Sequence, residues 1–156
     1  MSMYHYTICG LDNVWLKNGY VERDTPYGKA VAVVEAQQLH HLLALGLVDK
    51  PGRLTGKELK FLRVQMGLSQ AGFAKMHGVS EQAVSLWERH GKVPSANDQL
   101  ARVHYLAQAA GDTSVKQAIE RVKTVEKLVH QRIVVRNSGK KWLSAVEIED
   151  GAVESA

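Results

Sequence analysis

Hydrophobic positions change their spacing several times along the chain, and each change marks an element. Up to residue 34 the period is close to two. MYHYTI and NVWLKNGYVE are rich in aromatic and β-branched residues, CGLDN between them is turn-like, and residues 30–34 supply a further short strand. Residues 35–48, EAQQLHHLLALGLV, switch to helical spacing through Leu39, Leu42, Leu43 and Leu47. Pro51-Gly52 then ends this unit.

The next stretch, TGKELKFLRVQMGLSQAGFAKMHGVSEQAVSLWERHGKVP, divides at glycines into three short helical blocks. Thr55 with Glu58 three residues later forms a capping box, which satisfies two backbone donors at a helix start. Leu59, Leu62 and Met66 repeat on one face with Phe61 beside them, and Gly67 ends the block. Ser69 caps the second block, whose inward residues are predicted to be Phe73, Ala74 and Met76. Gly78 allows a tight turn with Val79 beneath it, and Ser80 caps the third block. There Val84 and Trp87 are predicted to face inward, leaving Glu81, Gln82, Ser85 and Leu86 outside. Two short helices joined in this way are a helix-turn-helix, whose second helix is presented to a DNA groove.

Beyond Pro94, Ser95 caps a helix over residues 96–109 that Gly111-Asp112-Thr113 breaks. Ser114 with Gln117 opens another, on which Val115, Ala118, Val122, Val125 and Val129 make a narrow apolar seam. RIVVRN and KKWLSAVEI flank Asn137-Ser138-Gly139 as a β-hairpin. This helix and hairpin either dimerise the protein or complete the monomer's own core. The tail from Glu149 is small and acidic and is predicted to fray.

The ordered residues Gly67-Leu68-Ser69-Gln70, Gly78-Val79-Ser80 and Trp87-Glu88 resemble the Xre (Cro/C1-type) family of bacterial and phage DNA-binding proteins. The resemblance covers residues 55–94. It implies a mainly α fold: a Cro/C1-like five-helix-type bundle over residues 53–112. Residues 1–52 then form a small N-terminal α+β unit with a partner, ligand or dimer role, and 113–156 a C-terminal helix and β-hairpin. It also implies roles for particular side chains. Arg63 and Glu88 match a structural ion pair between the first and third helices, and Gln70 matches a phosphate contact. Glu81, Gln82, Ser85 and Leu86 match the base-reading face, where Gln82 would hold adenine, Glu81 accept from cytosine and Leu86 touch a thymine methyl. The overall layout is similar to MqsA-type antitoxins, which place a small β-containing domain before an Xre-like one. That family's first domain holds zinc through cysteine pairs, whereas Cys9 is the single cysteine here, so no metal is expected.

Charge points to the same segment. Residues 53–92 hold seven Lys or Arg against Glu58, Glu81 and Glu88, a net of +4, which equals the formal charge of the whole 156-residue chain. Lys75, Arg89, His90 and Lys92 are therefore expected to contact phosphate, as a polyanion partner requires. Composition is ordinary for a globular protein, with 45% hydrophobic and 23% charged residues. No apolar run approaches membrane-spanning length and no secretory leader is visible, so a cytoplasmic, nucleoid-associated protein is expected. A lone cysteine forms no internal disulfide. His40-His41 point to different helix faces and no carboxylate completes a metal site. PGRLTGKE only superficially resembles a phosphate loop, since its glycines are too close and Glu58 replaces the magnesium-binding hydroxyl. No signature of a nucleophile surrounds Cys9. No cofactor and no enzymatic activity are expected.

The expectation from sequence is thus a DNA-binding regulator, a homodimeric repressor on a palindromic operator of double-stranded DNA. The alternative is an antitoxin whose first 50 or so residues bind a toxin or other protein partner, DNA binding serving autoregulation.

Overall fold

A computed structural model describes residues 3–110, 131–139 and 141–148. Its elements run β1 (Tyr4–His5), β2 (Val14–Leu16), β3 (Tyr20–Thr25), β4 (Gly28–Val33), α1 (Ala36–Val48), α2 (Gly56–Gln65), α3 (Gln70–His77), α4 (Glu81–His90), α5 (Ser95–Ala110), β5 (Gln131–Asn137) and β6 (Trp142–Ile148). The predicted helix from Ser114 with its valine seam, the break at Gly111-Asp112-Thr113 and the acidic tail lie outside the described residues.

Local chemistry sets the helix starts. At α2 the Thr55 hydroxyl accepts from the Glu58 amide while Glu58 Oε1 accepts from the Thr55 amide at 2.8 Å. Ser69 Oγ accepts from Gly72 N–H at 2.9 Å to open α3, and Ser80 Oγ from Ala83 N–H at 3.1 Å to open α4. Between them Gly78 takes φ 68°, a left-handed conformation that a residue with a Cβ adopts only under strain.

The strands are joined by contacts far apart in sequence. β1 and β2 are antiparallel, β2 runs parallel to β5, and β5 is antiparallel to β6, giving one four-stranded sheet in the order β1-β2-β5-β6. Two asparagines bracket β2 and fix this register. Asn13 Nδ2 donates to the Gln131 carbonyl at 2.8 Å, and Asn18 Oδ1 accepts from the Asn137 amide at 2.6 Å. β3 and β4 form a separate two-stranded sheet that is largely exposed, with Tyr27 at its tip fully so.

One hydrophobic cluster runs through the molecule, from Tyr6, Val14 and Leu16 through Leu39, Leu43, Leu47, Leu59, Leu62, Phe73 and Val84 to Ile133, Val135 and Trp142. The expectation of a mainly α, five-helix-type bundle is corrected by this arrangement. Of the described residues 46% are helical and 25% lie in the strands of two sheets, so the fold is mixed α+β. The physical reason is that β2 finds its partner in β5, more than a hundred residues away, and local periodicity carries no trace of that pairing. The predicted hairpin exists, but it is built into the sheet through β2. The predicted strand NVWLKNGYVE is two strands, β2 and β3, which turn at residues 17–19 into different sheets.

Candidate nucleic-acid interface

α3, the Gly78-Val79-Ser80 turn and α4 make a helix-turn-helix whose inner face is apolar. Phe73 and Ala74 on α3 and Val84 on α4 are buried, with Val79 and Trp87 packed against the same cluster. On α4 this leaves the other face free. Glu81, Gln82 and Leu86 are exposed and Ser85 is half-buried, so the four expected base-reading residues share one surface of the helix. Leu86 is 47% exposed and adds an apolar group to that surface.

Three cationic residues and a histidine stand on or next to the same two helices. Lys75 on α3, Arg89 and His90 in the last turn of α4 and Lys92 just after it are not buried. Arg89 Nε reaches back only to the Ser85 carbonyl, at 3.4 Å, and none of the four has a carboxylate partner among the described residues. Lys57, which sequence marks only as part of the positive charge, sits beside an open cleft of about 330 Å³. Thr55, Gly56, Lys57, Arg89 and His90 line that cleft, and the Lys57 ammonium is 3.1 Å from Asp12. Gly56 permits this closeness. A Cβ there would fall 2.2 Å from the Glu88 carbonyl oxygen, so only glycine lets the start of α2 abut the end of α4.

Arg63 and Glu88 meet as the resemblance implies. Arg63 Nε donates to Glu88 Oε2 at 2.7 Å and Nη2 to Oε1 at 3.0 Å, a bidentate pair with side chains 10% and 4% exposed. Arg63 Nη1 also donates to the Leu68 carbonyl at 2.9 Å, so one guanidinium ties α2 to α4 and to the loop before α3. Gln70 joins them: its Nε2 donates to Glu88 Oε1 at 3.0 Å, and the residue is half-buried. The amide expected at phosphate is engaged inside the motif, and the backbone N–H groups of the first turn of α3 are the donors left for an anion there.

A second group of charges is not visible from sequence. Lys50 Nζ donates to Glu58 Oε1 at 2.7 Å, with both side chains essentially inaccessible. Asp98 Oδ1 accepts from Arg102 Nε at 2.7 Å and its Oδ2 from the Leu54 amide at 2.6 Å. Arg102 further donates to the carbonyls of Val48, Lys50 and Gly52. The connector after α1 is thereby fastened to α2 and α5. The available signal is the spacing Asp98–Arg102, an i,i+4 pair within a helix, although nothing in it announces burial.

His77 takes the inward place expected for Met76. The methionine is 62% exposed, whereas His77 is buried, because positions 73 and 77 share one helix face. Its ring stacks on Phe73 at 3.9 Å, and its Nε2 lies 2.9 Å from His104 Nδ1 on α5. Burial, reinforced by His104, pushes the His77 pKa down to about 4, so the ring is neutral at physiological pH. Burial raises the Cys9 thiol above its ordinary range, which keeps it protonated and unreactive. Among the described residues no group of three His, Cys, Asp or Glu side chains is placed to hold a metal ion, and no helix is long and apolar enough to cross a membrane. No protein-family model, no curated protein and no solved structure matches this chain.

Proposed function

We propose that the protein is a cytoplasmic, sequence-specific DNA-binding regulator that lays α4 in the major groove. The observation that carries this reading is the outward face of α4. Gln82, Glu81, Ser85 and Leu86 stand on it, with the cations Lys75, Arg89 and Lys92 and the imidazole of His90 nearby, none with a carboxylate partner among the described residues. Amide, carboxylate, hydroxyl and apolar groups on one helix face are the set that reads base edges, and nearby cations supply the salt-dependent attraction to phosphate. A homodimer would set two such helices about 34 Å apart, on successive major grooves of a palindromic operator, and repression follows where that operator overlaps a promoter.

The test is selection from a pool of random duplexes, followed by anisotropy titration of the selected DNA against a scrambled duplex of equal length. A preference of about a hundredfold or more at near-physiological salt is expected. Equal, weak and strongly salt-dependent binding to both would overturn the reading. A second reading, an antitoxin-like protein whose N-terminal part holds a protein partner, is favoured by the β3–β4 hairpin. That hairpin exposes Tyr27 completely and Val21 by half. Capture on the full chain that is lost on Tyr27→Ala, with DNA binding retained, would support it.

A further inference from the structure

β6 is the last strand of its sheet among the described residues, and beyond Trp142 no described element pairs with its free edge. Trp142 donates its backbone N–H to Gln38 Oε1 at 2.9 Å, so its main chain turns away from β5. Backbone direction alternates along a strand, so Ser144 and Val146 also point their N–H and C=O groups outward. Neither has a hydrogen-bond partner on that side among the described residues, and both are exposed, Val146 by 45%. Proteins ordinarily protect such an edge with charge, proline or a covering element. β3, at an edge of the other sheet, carries Glu22, Arg23 and Asp24 in its centre, whereas the centre of β6 is Ser144-Ala145-Val146.

We propose that this edge pairs with the same edge of a second copy of the chain, antiparallel, across a two-fold axis at Ala145. Charge decides both the occupant and the direction. The segment is basic at its start, with exposed Lys141, and acidic toward its end, where exposed Glu147 accepts from Arg132 of β5 at Oε2 and keeps Oε1 for a second cation. About an axis at Ala145, antiparallel self-pairing sets Lys141 of one copy diagonally across from Glu147 of the other on the same face, whereas parallel pairing sets like charges together. An axis at Ala145 places Ser144 opposite Val146 of the second copy. Each such pair exchanges two N–H···O bonds, and Trp142 keeps its bond to Gln38. An isologous contact of this kind closes on itself and does not propagate into a fibre. The proposal rests on the DNA-binding reading only for the use to which the dimer is put.

The experiment is sedimentation equilibrium of the full chain over a wide concentration range without DNA, comparing wild type with Val146→Pro and Lys141→Glu. Proline at 146 removes only an outward N–H, which an edge strand tolerates. Wild type should rise to twice the monomer mass, and Val146→Pro should remain monomeric with an unchanged melting temperature. Lys141→Glu should weaken the dimer several-fold, most at low salt. A wild type that stays monomeric throughout, or a Val146→Pro dimer as tight as wild type, overturns the proposal. Should Val146→Pro also melt early, Lys141→Glu decides, because its side chain is exposed and an unchanged dimer then refutes the pairing. No DNA enters the measurement, so failure here leaves the DNA reading standing, and a failed DNA titration leaves the dimer standing.

Discussion

Two clusters of buried charge hold the helices, and they differ in what they join. Arg63, Glu88 and Gln70 lie within one continuous stretch of 26 residues and fix the angles among α2, α3 and α4. Lys50, Glu58, Asp98 and Arg102 reach across some 50 residues and fasten the connector after α1 to α5. The first cluster keeps a little solvent access, whereas the second has essentially none. A buried ion pair contributes geometry more than net stability, since desolvation offsets most of its attraction, yet removing one member strands the other. The first cluster therefore sets the shape of the helix-turn-helix and of the proposed recognition surface. The second makes the Pro51-Gly52 connector a rigid joint.

On that contrast, Arg102→Met is the most damaging single change. It leaves Asp98 buried without its cation and three carbonyls without a donor, at a cost of about 3–5 kcal/mol in urea denaturation. A loss below about 1 kcal/mol would show that the joint is dispensable. Next in size is a pH effect. The folded His77 pKa is depressed from 6.5 to about 4, so its contribution is complete above 6.5 and is lost as pH falls toward 4, where the unfolded chain takes the proton first. Between those values thermal stability should drop by an amount on the order of 2–3 kcal/mol, and His77→Phe should flatten the curve. An identical pH profile in the variant would remove His77 as the cause.

Glu88→Ala comes third. Its partner Arg63 is buried but keeps the Leu68 carbonyl and a little solvent access, so about 2 kcal/mol is expected, with DNA affinity falling alongside because α4 loses its tether. Stability lost with affinity intact would separate the clamp from the recognition surface. The smallest effects lie on that surface itself. Gln82→Ala should cost about 1–2 kcal/mol on the preferred sequence and almost nothing on others, without altering the melting temperature. Lys92→Ala should weaken all duplexes alike and lower the salt slope by about one. Equal behaviour of the two variants would mean that α4 is turned the wrong way.

The helix-turn-helix is legible because its determinants are local. Each serine cap acts on an amide three residues ahead, and Gly78 supplies its own backbone angle. The face of α4 follows from simple periodicity. The sheet is not legible, because Val14-Trp15-Leu16 pairs with Ile133-Val134-Val135, and nothing within either segment names the other. Nothing in the sequence marks Lys50 and Arg102 as buried, for the same reason: their burial depends on Glu58 and on carbonyls brought together only by the fold. Met76 and His77 exchange places because hydropathy favours the methionine, whereas the geometry of α3 sets residue 77 in line with Phe73.

The parallel pairing of β2 with β5 also bears on how the chain is made. A ribosome delivers Asn13 early, but the carbonyl that its side chain meets belongs to Gln131, 118 residues later. The contacts of α2 to α4 are short in sequence, Arg63 and Glu88 being 25 residues apart, so those helices can settle while synthesis continues. Until the last hairpin emerges, β2 has one open side. A premature stop ahead of Gln131 would therefore release a chain whose helix-turn-helix is complete and whose first sheet has no partner strand to close it.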